Sequence, residues 1–171
     1  MSDPVFKISR SFDAPLSLVW KAYSEREHLA RWWGPTGFAL EIARLDFRPG
    51  GVFHYAMRGA AGQLMWGKFH YREIVPMKKI VYTSSFADES GLTARAPFAG
   101  NFPLEVLNTV EFAEAAGRTT INLSGTPYNA TEEERAFFLS MFPSMNQGFT
   151  GTLNQLEAYL PVMRGGASAR E

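Results

Sequence analysis

The chain has 171 residues, 46% hydrophobic and 20% charged, which suits one globular domain with a sizeable core and excludes a disordered chain. Seventeen basic residues balance 17 acidic ones, and no basic run is present to neutralise phosphates, so nucleic acid is not an expected partner. The lack of Cys excludes disulfides, thiolate catalysis and sulfur-ligated metals together.

The N-terminal MSDPVFKISR has no apolar signal core, and no stretch approaches the length of a membrane span. A cytoplasmic location is expected, and the sequons at Asn122 and Asn129 are read as chance matches. Residues 5–13 alternate, with Phe6, Ile8 and Phe12 on one side, which predicts a half-buried strand. Pro15 suits the first turn of a helix running to about Tyr23. Ser24-Glu25-Arg26-Glu27 has the pattern of a capping box, opening a second short helix that ends by Trp33, because Gly34-Pro35 cannot continue it.

Six strand-like runs follow, at about 38–47, 52–58, 64–75, 79–86, 104–112 and 119–126, with short turns between most of them. Residues 87–103 have no period and read as a long loop. The pattern predicts an antiparallel meander, with the first strand free to pair with the last. Thr131-Glu132-Glu133-Glu134 is a further capping box, with acids at the positive end of a helix. Pro143 breaks or kinks that helix. From Ser144 to Leu160 the residues Met145, Phe149, Leu153, Leu156 and Leu160 lie near one face. Gly148 and Gly151 each cost that helix roughly 1 kcal/mol against Ala, which implies either close approach to the sheet or space left for something else. Pro161 is expected to end it. Residues 1–160 then form a single domain and 161–171 a mobile tail.

The candidate site is apolar. Phe53, Tyr55 and Met57 share one strand face, and Met65, Phe69 and Tyr71 the next. With Met145 and Phe149 they make a chamber that is either plain core or cavity lining. Asn108 interrupts the apolar face between Val106 and Val110, so its amide needs a partner, whether a neighbour or a ligand. The Tyr55 and Tyr71 hydroxyls need the same. Trp32 and Trp33 adjoin and cannot share a pocket; Trp32 is expected in the core and Trp33 nearer the cavity mouth. His28, His54 and His70 show no HxH or HExxH spacing, and alternation puts the last two on the outer sheet face, so no metal is expected. Nucleophile elbows, P-loops and dinucleotide fingerprints are lacking, so no cofactor and no catalytic residue is assigned. Glu73 and Glu111 read as solvated strand charges.

This order of elements, with Glu27-His28-Leu29, Arg31-Trp32-Trp33-Gly34-Pro35, Asp46-Phe47-Arg48-Pro49-Gly50-Gly51, Ile80-Val81-Tyr82-Thr83 and Gly117-Arg118-Thr119-Thr120 in series, resembles the START-like helix-grip proteins. Within them it resembles the family named after the C-terminal domain of the Hsp90 ATPase activator. Phe149 stands where family members often carry Trp. The resemblance implies an α+β helix-grip fold, a curved antiparallel sheet around a long C-terminal helix, and a cavity between them. Relatives bind lipids, hormones or polyketides, some are cyclases, and one branch is a co-chaperone.

The functional expectation is a small, mostly hydrophobic ligand lined by Trp33, Phe53, Tyr55, Met57, Phe69, Tyr71, Asn108, Met145 and Phe149. The alternatives are an enzyme of polyketide cyclase or hydrolase type and a chaperone-associated interaction module. No exposed patch for a chaperone partner is visible in the sequence, and the near-zero charge is compatible with a homodimer.

Overall fold

The computed structural model describes residues 3–34 and 37–169, the last four of these for their backbone only. Among the described residues, a sheet of eight strands faces four helices. Strand β1 (Phe6–Phe12) leads into helices α1 (Leu16–Ser24) and α2 (Arg26–Trp32). The meander follows: β2 (Ala39–Leu45), β3 (Val52–Arg58), β4 (Leu64–Val75), β5 (Lys79–Ala87), the two-residue β6 (Thr93–Ala94), β7 (Glu105–Ala115) and β8 (Arg118–Tyr128). Helices α3 (Glu132–Ser140) and α4 (Phe142–Ala169) close the chain.

The strand order is β1-β8-β7-β5-β4-β3-β2, with every pairing antiparallel and β6 attached to β5. β1 pairs with β8 from Phe6 opposite Gly125 to Phe12 opposite Thr119, so the first strand does join the last. Register shifts between Ile42 and Arg44 and between Tyr71 and Glu73 mark irregularities of the kind that bend a strand. The inner face carries the alternating apolar residues, and α4 lies against it through Leu153, Leu156, Leu160 and Met163, all buried. No described helix is long and apolar enough to cross a membrane.

Three local expectations need correction. Ser24 does not cap α2. It is the last residue of α1, and its hydroxyl donates back to the Trp20 carbonyl at 2.8 Å, as a helical Ser does to the residue four before it. Glu25, one extended residue, serves as the boundary of both helices and makes no side-chain cap bond. Pro161 does not end α4, which continues to Ala169. Its ring sits on the exposed side of the helix, while Leu160 and Met163 keep the buried face packed across it. Residues 161–169 are therefore helical rather than a tail, and residues 170–171 lie outside the described residues, as does Pro35. Residues 87–103 are not wholly irregular, since Thr93 and Ala94 pair with Ala87 and Phe86.

Other expectations match. Thr131 and Glu134 form the full capping box, with Glu134 N–H donating to Thr131 Oγ1 and Thr131 N–H donating to Glu134 Oε1 at 2.9 Å. The helix is interrupted at Met141, leaving Pro143 in the first turn of α4, where its missing N–H has no partner to lose. α1 has no side-chain cap of its own at Pro15; Glu114, far away on β7, accepts from Leu16 N–H at 3.1 Å. Trp32 is 1% exposed, sits edge-on to Tyr23, and donates its indole N–H to the Ala22 carbonyl at 2.8 Å.

Replacing Trp32 with Ala is expected to cost about 3–5 kcal/mol in equilibrium urea unfolding, the range for large buried aromatics, and Trp33→Ala distinctly less. A reversed ranking would refute the assignment of Trp32 to the core. Glu134 yields a pH prediction. The Thr131 N–H, and then the Arg95 guanidinium, hold its carboxyl below the usual carboxylate range against the opposing effect of burial. A carboxyl depressed in the fold contributes stability that is complete above its unfolded value, about 4.3, and is lost as pH falls through the folded value. Glu134→Gln keeps an acceptor for the capping box and is expected to flatten the acid limb of the stability profile below about pH 5.

Candidate functional site

Alternation and register assemble the site before any ligand is considered. Three rows of inward residues cross the sheet. Tyr55 on β3 stands opposite Gly67 on β4 and Phe86 on β5. Phe53, Phe69, Ser84 and Val106 form the second row, and Tyr82, Asn108 and Gly125 lie along the third. α4 lies over these rows with Met145, Gly148, Phe149 and Thr152, and α3 contributes Phe138.

Two adjoining pockets remain between sheet and helix. One, of about 210 Å³, runs from Trp33 and Tyr55 across Phe69 and Tyr82 to Asn108, and is closed by Phe102, Phe138 and Phe149. The other, of about 200 Å³, lies where Trp33, Gly34 and Met57 face Met145, Gly148 and Thr152. Each alone is smaller than the roughly 300–1,000 Å³ usual for small-molecule sites, and joined they enter that range.

Seven of the nine residues singled out in the sequence line these pockets: Trp33, Tyr55, Met57, Phe69, Asn108, Met145 and Phe149. Phe53 and Tyr71 do not. They point to the same side of the sheet but are buried in the packed core, Phe53 between Tyr55 and Phe69, Tyr71 against Phe47. A shared face is not a shared environment, because the aromatic rings nearest the core close over one another before the helix reaches them.

Gly67 has a specific reason. A Cβ built there would lie 2.8 Å from the ring and the hydroxyl oxygen of Tyr55, so only Gly lets that ring lie across the neighbouring strand. Gly148 has the opposite one, since a Cβ there meets nothing within 4 Å. Of the two readings of the helix glycine, close approach or spare room, the second holds at Gly148.

The polar groups are few and already organised. Asn108 is 5% exposed; its amide donates to Ser84 Oγ at 2.8 Å and to the Val106 carbonyl at 3.0 Å. Neighbours therefore satisfy the amide nitrogen. Gly125 beneath it leaves room, for a Cβ there would come within 3.1 Å of Asn108 Oδ1. Burial pushes the Tyr55 hydroxyl up to about 12, against the opposing effect of the neighbouring Trp33 indole. Burial also raises Tyr82, Tyr71 and Tyr23. The Tyr23 hydroxyl is buried without a partner among the described residues.

Sequence reasoning missed Tyr82, Ser84, Ser85, Phe86, Trp66, Phe102 and Phe138. Tyr82, Ser84 and Phe86 were open to alternation within one strand. Phe102 was not, because it stands in the aperiodic segment 87–103; there Arg95 pairs with Glu134 and donates to the Phe102 carbonyl. Phe98 on the same segment is 54% exposed and contacts Phe86 and Phe102, and Leu92 is also exposed, so large apolar side chains do reach the surface here. His54 and His70 lie on the outer face. His70 is exposed, whereas His54 is covered by residues 88–91, stacks on Trp66 and donates from Nε2 to the Asp88 carbonyl at 3.0 Å.

One group of metal-ligating side chains converges among the described residues, Glu25, Glu27 and His28, with donor atoms within 4.8 Å of one another. It lies on α2 and its boundary rather than in the pocket, and His28 Nδ1 is engaged by the Tyr159 hydroxyl at 2.7 Å. Glu73 is a half-exposed strand charge that pairs with Lys79 at 2.8 Å.

Solved structures share this architecture. A protein from Mycobacterium smegmatis is 26% identical, with a TM-score of 0.74 over 91% of this chain and 90% of its own. One from Arthrobacter aurescens is 25% identical, with a TM-score of 0.77 over 92% and 86%. At 22% identity, a Nitrosomonas europaea protein shares the fold with a TM-score of 0.75 over 94% and 96%. No curated protein matches the chain. The family model described as Activator of Hsp90 ATPase homolog 1-like protein matches residues 13–161, nearly the whole described fold, and the chain belongs to that family.

Proposed function

We propose that the chain binds a small, mostly hydrophobic molecule between the sheet and α4. The observation that carries this reading is Gly148. A glycine in a helix interior costs about 1 kcal/mol against Ala, yet a Cβ at this position would meet no atom within 4 Å, and Gly148 borders the pocket. The helix thus forgoes stability to leave space beside Trp33, Met57 and Met145. Met and aromatic walls adapt to apolar shapes at little cost. The lining supports binding over acid–base catalysis, because the residues around both pockets are uncharged and burial takes the Tyr55 and Tyr82 hydroxyls further from neutral titration.

The test is to fill the space. Gly148→Phe is expected to weaken the binding of a neutral apolar dye such as Nile red by at least about tenfold, through loss of buried apolar contact. Gly148→Ala is expected to raise stability by roughly 1 kcal/mol, through helix propensity alone. If Gly148→Phe bound the dye as well as the parent chain while remaining folded, the pocket would not be the binding site. Trp33→Ala is expected to weaken dye binding more than Trp32→Ala does at a temperature where both variants stay folded, read by fluorescence titration.

A further inference from the structure

We infer that the pocket presents two hydrogen-bond donors, the hydroxyls of Ser84 and Tyr55, and selects an uncharged apolar molecule carrying a carbonyl-type acceptor oxygen. This rests on the pocket being a ligand site and specifies the chemistry it recognises.

Asn108 has two amide hydrogens, and both are committed, one to Ser84 Oγ and one to the Val106 carbonyl. Asn108 is therefore held fixed and offers the pocket no donor. In the first of these bonds the Ser84 oxygen is the acceptor, so that bond leaves its proton free. Tyr55 stands beside the Trp33 indole, which can donate but not accept, so its own proton remains available. A hydroxyl that accepts from an N–H is polarised into a better donor. Both residues line the same pocket.

The Tyr55 ring crosses β4 at Gly67 towards β5, the strand that carries Ser84. A carbonyl oxygen is an acceptor for either hydroxyl. An ionised group would lose its hydration among uncharged walls with no opposite charge to offset the loss. A plain hydrocarbon would leave both hydroxyl protons unpaired.

The experiment compares three probes of one shape by isothermal titration calorimetry: 2-acetylnaphthalene, 2-ethylnaphthalene and 2-naphthoate. The ketone is expected to bind about tenfold more tightly than the hydrocarbon, and the carboxylate more weakly than the ketone. Ser84→Ala and Tyr55→Phe, each checked for folding by thermal unfolding, are expected to reduce ketone affinity roughly three- to tenfold and to leave the hydrocarbon within about twofold, the scale of one hydrogen bond. Three results overturn the inference while leaving the pocket reading intact: equal binding of ketone and hydrocarbon, a ketone preference unchanged in both variants, or tightest binding of the carboxylate. Failure of all three probes to bind would instead refute the pocket reading, and the inference with it.

Discussion

Gln155 joins the long helix to the end of α2, and the site depends on that join. Its side-chain amide donates to the backbone carbonyls of Trp32, at 3.3 Å, and Gly34. The last carbonyls of a helix have no intrahelical donors, and here a side chain from another helix supplies them. The consequence runs in two directions along the chain. Trp32 goes into the core beneath the Ala22 carbonyl. Trp33, whose backbone is already extended, lies edge-on to Trp32, 5.6 Å away between ring centres, and edge-on to Phe69, 5.2 Å away. One wall of the pocket is thus fastened to α4, whose face forms the roof. A shift of the helix would move roof and wall together.

The opposite wall is set by the sheet. Gly67 allows Tyr55 to lie flat across β4, and Gly125 makes room beside Asn108. Absent side chains thus place the two most polar parts of the site. The Asn108 amide, a buried polar group that would be costly if unpaired, is satisfied by Ser84 and Val106. This end of the pocket is thus fixed by its own neighbours, with the Ser84 oxygen as an acceptor. Membership of the Activator of Hsp90 ATPase homolog 1-like family accounts for the architecture. It does not by itself give the function, since a fold hosts many functions.

Much of the architecture was legible because it rests on local periodicity. Strand alternation, the Thr131–Glu134 box and the apolar stripe of α4 each depend on residues a few positions apart. The misreadings fall where a local signal met a tertiary one. Ser24 had the spacing of a cap, but α1 retained it, and the hydroxyl turned inward to Trp20. Pro161 had the look of a terminator, but Leu160 and Met163 on the buried face carried the helix past it. Phe102 had no periodic context at all, and only the placement of segment 87–103 against α3 brings it to the pocket.

The sequence by itself determined the fold class, the antiparallel order of the strands and the apolar character of the inner face, because each follows from repeats of two or 3.6 residues. It could also mark Asn108 as a buried amide and Gly148 as a costly glycine. Only the tertiary structure decided which inward residues line space and which fill it. Phe53 and Tyr55 occupy the same strand face two residues apart, yet one is core and the other is wall. The difference lies in what stands across from them: Phe53 faces the bulk of Phe69, whereas Tyr55 faces a glycine. Periodicity says where a side chain points; cross-strand partners and the helix above it decide whether anything is there to meet it.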